Sequence, residues 1–233
     1  MNKNQIDVLL RRNISKGTQF DQYIDKKDNT KQSLGVGDTL HGVRKMREWV
    51  LRFYPQVSRL TNFFKGNTLR ATCENIKHFL YHNIQYSMDK KLQQLRSPAN
   101  SWENRFTGID CKSYSVFASC ILTNLGLKHY IRRIQQAHLN KGKFSHVYVI
   151  VPINQETGSL ESGYFTIDGT VKGEKEPNFT IKDDLLMDDK LQYVGLNGAA
   201  KKPTKKAPAK KPIKKAVAKK PASKSTSRKF PFT

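Results

Sequence analysis

The chain has 233 residues, and 42 Lys and Arg against 19 Asp and Glu leave a formal net charge of +23. With 37% hydrophobic and 10% aromatic residues it can bury a core, which excludes wholesale disorder. The charge is lopsided: from Ala199 onward there are 13 Lys and Arg and no acidic residue, leaving 29 basic against 19 acidic residues for positions 1–198.

The first residues, MNKNQIDVLLRRN, offer only Ile6, Val8, Leu9 and Leu10 as an apolar cluster, too little for a signal-peptide core. Residues 1–38 read as a lead-in of short or irregular elements punctuated by Gly17, Gly35 and Gly37. Asp38 and Thr39 are candidate caps for a helix through HGVRKMREWVLRFY, where Val43, Met46, Val50 and Phe53 recur at helical spacing and Pro55 ends or kinks the run. A second helix is predicted over 68–85, with Cys73, Ile76, Phe79, Leu80 and Ile84 as its apolar stripe. Glu74, His78 and His82 take the opposite face, which reads as a solvated polar stripe rather than a metal site.

After a polar stretch containing Pro98 comes GIDCKSYSVFASCILTNLGL. Asp110 is a good N-cap residue, Val116, Phe117, Cys120, Ile121 and Leu125 are spaced for burial, and Gly126 stands where a C-terminal cap belongs, which puts Cys111 in the first turn of a helix. Three strands are predicted next, in KHYIRRIQQA, FSHVYVIV and GYFTIDGTV, separated by turns at Asn140-Lys141-Gly142 and Gly158–Gly163. Helices first and an antiparallel sheet afterwards make an α+β fold. Residues 172–198, with Asp183, Asp184, Asp188 and Asp189, are expected to pack back on the domain and to present a solvated acidic face, since the aspartates lack the glycine and alternating ligands of a calcium loop.

Catalysis by a thiol needs a thiolate, a base for its proton and a third group that fixes the base in one tautomer. A cysteine at a helix N-terminus meets the positive end of the helix dipole and free backbone N–H groups, and Cys111 stands at such a place; Cys73 and Cys120 read as small core residues. His146 is a polar residue in an otherwise apolar strand, sharing a face with Phe144 and Tyr148 while Val147, Val149 and Val151 share the other. Asp168 ends the next strand, and an antiparallel neighbour brings such a carboxylate alongside the histidine. The three cysteines form no CxxC pair and no metal-ligand spacing, so neither a disulfide framework nor a metal or other cofactor is expected.

GIDCKSYS, FSHVYVIV and YFTIDGTV, in that order, resemble the Cys, His and Asp motifs of the transglutaminase-like superfamily, and TCENIKHFLYHNIQYSMD resembles the family's approach to its nucleophile. The resemblance covers roughly residues 68–171. It implies a papain-like core, with the nucleophile-bearing helix packed on an antiparallel sheet, Cys111 as nucleophile, His146 as general base and acid, and Asp168 as the orienting residue. The family often has an aromatic residue after its histidine, where Val147-Tyr148 stands here, and the side-chain oxyanion donor stays open among Gln94, Trp102 and Arg105.

From Ala199 the composition changes completely. Lysine pairs at Lys201-Lys202, Lys205-Lys206, Lys210-Lys211, Lys214-Lys215 and Lys219-Lys220, spaced by Ala, Pro and Thr, cannot bury a core and are expected to be disordered. They resemble the tails of linker histones and bacterial histone-like proteins, and such charge binds DNA or RNA phosphates without reading bases. The organisation expected is therefore a lead-in at 1–38, a transglutaminase-like domain at 39–198 and a basic tail at 199–233. The function expected is that of a cysteine protease or amidase acting on a protein or peptide and tethered to nucleic acid by its tail. The competing class is a noncatalytic structural or nucleic-acid-associated protein on the same fold, for example a bacteriophage virion component. With no apolar stretch near membrane-spanning length, no membrane partner is expected, and the location implied is the cytoplasm, or a host cytoplasm or virion for a phage protein.

Overall fold

The computed structural model describes residues 3–35, 39–89, 92–136, 142–173 and 175–187. The N-terminal part carries α1 (Lys3–Leu10), a 3-10 helix (Thr18–Tyr23) and β1 (Lys31–Gly35). It is welded to the rest through Phe20, whose ring meets Phe79 edge-on at 5.0 Å and Trp102 at 6.2 Å. Next comes α2 (Thr39–Phe53), which buries Val43, Met46, Trp49, Val50 and Phe53. Asp38, one of its two candidate caps, lies outside the described residues. Pro55 does not kink α2 but opens a 3-10 helix at Tyr54–Phe63, where its fixed φ and missing N–H suit a helix start.

The helix α3 (Leu69–Asn83) is capped by Thr68, whose hydroxyl accepts from the Ala71 N–H at 3.1 Å, and it buries Cys73, Ile76, Phe79 and Leu80. The polar stretch that follows is more ordered than its composition suggests. It forms β2 (Gln93–Arg96), which pairs antiparallel with β1, and α4 (Pro98–Glu103). The central element is α5 (Cys111–Asn124), buried on every side from Ser113 to Leu122; its end is closed by Gly126 at φ 68°.

Four antiparallel strands follow: β3 (His129–Gln135), β4 (His146–Pro152), β5 (Tyr164–Ile167) and β6 (Ile181–Met187), arranged in the order β5-β4-β3-β6. Ile131, Val147, Val149, Val151 and Ile167 join the main core with α5, while Ile134, Tyr148 and Ile150 face the other way into a second cluster with Tyr164 and Phe179. The architecture is α+β.

The segment expected to present a solvated acidic face is instead the fourth strand. Asp183 stands opposite Arg133 and Asp184 opposite Arg132, so the aspartates are neutralised across the ladder. Arg132 is fully buried and holds Asp184 with two bonds of 2.6 and 2.7 Å while its third nitrogen reaches Glu176 at 2.8 Å. Tyr148 and Tyr164 both donate to Glu176, at 2.6 and 2.7 Å, and complete the network on the face away from α5. Asp188 and Asp189, the turn residues Asn140 and Lys141, and the whole of residues 199–233 with their lysine pairs lie outside the described residues.

Candidate active site

The start of α5 is fixed from three sides. One Asp110 oxygen accepts from the Ser113 N–H at 3.1 Å and from the Ser113 hydroxyl at 3.0 Å; the other binds the Lys112 ammonium, which also meets Asp89 at 3.2 Å and Gln93 at 2.6 Å. The Ile109 N–H donates to the Gln85 carbonyl and the Ser87 N–H to the Ile109 carbonyl, in a short parallel bridge between 85–87 and 109. Gly108 permits this: its φ is +100°, and a Cβ there would stand 2.6 Å from that of Ser87. Cys111 is thereby held in the first helical turn, partly exposed and free of any disulfide.

His146 is the first residue of β4 and Asp168 the first beyond β5. Val149 pairs with Ile167, so the register continued by one step sets Asp168 across from Tyr148 and diagonal to His146. The ring Nε2 donates to Asp168 Oδ2 at 2.7 Å, and Asp168 Oδ1 accepts from both the Thr170 N–H at 3.0 Å and its hydroxyl at 2.7 Å. The Cys111 sulfur is near enough to the ring to raise its proton affinity, and Nδ1 is the ring nitrogen that Asp168 leaves free. The structure thus brings Cys111, His146 and Asp168 together.

Burial alone would disfavour the imidazolium, but the charge and hydrogen bond of Asp168, with the contribution of Cys111, outweigh it and hold His146 well above the usual histidine range. Burial likewise works against the Asp168 carboxylate, and there too the neighbours prevail: His146 and the two Thr170 donors keep it below its ordinary value. Each member of the pair thus favours the charged form of the other. The turn that carries Asp168 is closely packed, since a Cβ on Gly169 would fall 2.8 Å from Leu80 Cβ and 2.9 Å from the Tyr114 ring.

The other thiols have no such surroundings. Burial and then Glu74 push Cys73 up to about 12, and burial alone raises Cys120 well above its usual value. Of the oxyanion candidates, Trp102 Nε1 donates to Asp21 at 2.7 Å, Arg105 binds the carbonyls of Lys16 and Trp102, and Gln94 accepts from Arg96 at 2.9 Å. Tyr86 escapes a reading of the sequence. It is buried and paired with Ile109, and burial, followed by the charges of Cys111 and Asp110, pushes its hydroxyl well above the usual tyrosine value. Only the pairing of 85–87 with 109 reveals it.

His78 and His82 are exposed on α3, Glu74 pairs with Arg70 at 3.7 Å, and among the described residues no three His, Cys, Asp or Glu side chains are grouped to hold a metal ion. A cavity of about 190 Å³ between α3 and β5, lined by Arg70, Cys73, Lys77 and Phe165 among others, does not include Cys111, His146 or Asp168. Among the described residues no helix is long and apolar enough to cross a membrane.

Residues 55–169 match a family model described as a transglutaminase-like domain. This transglutaminase-like stretch holds Cys111, His146 and Asp168 and ends one residue after the last of them. It begins within the second 3-10 helix and leaves α1, β1 and α2 outside. Searches of the curated proteins and of the solved structures returned no match.

Proposed function

We propose that the domain is a cysteine amidase or protease of transglutaminase-like type, and that the lysine-rich tail tethers it nonspecifically to DNA or RNA. The observation that carries the catalytic reading is the 2.7 Å contact of His146 Nε2 with a buried Asp168 while the Cys111 sulfur, at a helix N-terminus, takes the other side of the ring. In the first step the Cys111 sulfur, its proton already carried by His146, bonds as thiolate to the carbonyl carbon of an amide. The oxyanion that forms is met by the Cys111 N–H at the start of α5, which has no intrahelical acceptor. Collapse breaks the C–N bond, and the amine leaves with the proton from His146. Water, or a second amine, then gives a proton to His146 and attacks the thioester; the C–S bond breaks, the acid or new amide departs, and the thiolate is left beside the protonated His146. Asp168 stays ionised throughout and holds the ring in the tautomer that turns Nδ1 to sulfur.

Iodoacetamide labelling of the full chain near pH 7, read by mass spectrometry, tests this. Cys111 is expected to react far faster than Cys73 and Cys120, and His146→Ala to slow it. Equal rates for the three thiols in the folded protein would overturn the reading.

A further inference from the structure

The residue that ties the two halves of this site together lies outside the transglutaminase-like stretch. Arg12 follows α1, and its guanidinium is packed into the domain with five acceptors around it. Nε donates to the Tyr81 carbonyl at 2.8 Å and Nη1 to the Thr170 carbonyl at 2.8 Å; Nη2 is within reach of the Ile84 carbonyl at 3.0 Å, the Tyr114 hydroxyl at 2.9 Å and the Gly169 carbonyl at 3.0 Å. The plane lies 3.9 Å over the Tyr81 ring, and the Arg12 N–H is held by Gln85 at 3.2 Å. None of these acceptors is a carboxylate, so the side chain is placed for the direction of its bonds rather than to neutralise a charge.

The acceptors divide between the two sides of the site. Gly169 and Thr170 form the turn after Asp168, and Thr170 is the residue whose N–H and hydroxyl grip the Asp168 carboxylate. Tyr114 stands one helical turn after Cys111 on α5. A single planar group therefore holds the turn that carries the acid and the helix that carries the thiol in one register. Only arginine presents five N–H donors in a rigid fork; a lysine at this place would keep the charge and lose the geometry. The rest of the segment is fastened too, by the Ser15 N–H to the His82 carbonyl at 2.7 Å and by Arg105 to the Lys16 carbonyl at 3.0 and 3.1 Å.

We propose that Arg12 is a positioning residue for the Cys111–His146–Asp168 site, so that residues 11–17 are a structural strap of the catalytic machinery; this rests on the reading of the site given above. Displacement of a reacting group by about 1 Å costs on the order of a hundredfold in rate, and a loosened supporting shell has that effect.

The test uses the full chain and follows Cys111 alkylation by iodoacetamide from pH 5 to 9, alongside the thermal midpoint, for wild type, Arg12→Lys, Asp168→Asn and the double variant. Arg12→Lys is expected to fold, to lower the Cys111 rate near pH 7 by on the order of tenfold to a hundredfold, and to move its pH profile toward that of Asp168→Asn. In the double variant the losses should not multiply, because both substitutions act on the same histidine. A wild-type profile in folded Arg12→Lys would overturn the proposal, as would independent, multiplying losses. If Arg12→Lys fails to fold, Tyr114→Phe removes one acceptor and keeps the ring; it should shift the profile the same way by less, and an unchanged profile would count against the strap. A wild-type Cys111 no faster than Cys73 and Cys120 overturns the site and the strap together, whereas a reactive wild type with an unaffected Arg12→Lys overturns the strap alone.

Discussion

His129 shows how one buried group sets a pH limit on this fold. It opens β3 almost without exposure, donates from Nδ1 to the Leu127 carbonyl at 2.7 Å, and has no partner for Nε2 among the described residues. Burial lowers its pKa to about 4, with the Leu127 bond opposing only in part. In the unfolded chain a histidine takes up its proton near pH 6.5. Below that pH the unfolded state binds a proton that the folded state refuses, so stability falls as pH drops from about 6.5 toward 4. The expected loss is about 1 kcal/mol between pH 6 and 5. Urea unfolding at pH 7 and at pH 5 checks it: His129→Gln, less stable at pH 7, should show a smaller drop between the two than wild type, and an equal drop would remove His129 as the cause. The ion pair of His146 with Asp168 behaves otherwise. Its carboxylate contributes stability above the unfolded Asp range, and its imidazolium contributes stability that fades only as pH rises through the elevated His146 value.

Among elements, β6 is the one whose existence depends on charges from a neighbour. Its sequence, IKDDLLM, carries two adjacent aspartates, a poor local signal for a strand, yet each meets an arginine directly across the ladder. The two pairs are unequal. Arg132 is fully buried with Asp184 and Glu176 as partners, whereas Asp183, the partner of Arg133, is 45% exposed. Removing Arg132 strands two carboxylates beside a tyrosine cluster, and Arg132→Ala is expected to cost about 3–5 kcal/mol in urea unfolding. Arg133→Ala should cost less than about 1 kcal/mol, because solvent screens the pair it breaks. Equal losses would show that β6 is held by its backbone ladder and apolar side chains, and that the buried network contributes little. By contrast α5 announces itself locally: a capping aspartate, an apolar run and a left-handed glycine at the end are all within one or two turns of the residues they act on.

At the scale of the molecule the chain divides into residues 1–198 and 199–233. A chain ending at residue 197 is expected to fold and melt like the full protein, since the removed lysine, alanine and proline residues have almost no apolar surface to bury. It should lose most affinity for nucleic acid. If the tail neutralises roughly 6 phosphates of duplex DNA, log affinity of the full chain should fall with log salt at a slope near −5, with little preference among sequences. Undiminished, salt-insensitive binding by the truncated chain would place that function elsewhere. The sequence by itself determined the helices around Cys73 and Cys120, the order of the cysteine, histidine and aspartate motifs, the three strands that carry or flank them, and the change in composition at Ala199. Each of those signals is a cap, a period or a charge count confined to neighbouring residues. Only the tertiary contacts show that Tyr86 pairs with Ile109 just before α5, that two aspartates make a strand, and that Arg12 grips a carbonyl 158 residues away. Those depend on directional bonds between distant segments, and an arginine in a polar lead-in looks the same in sequence whether its guanidinium is solvated or holds five acceptors.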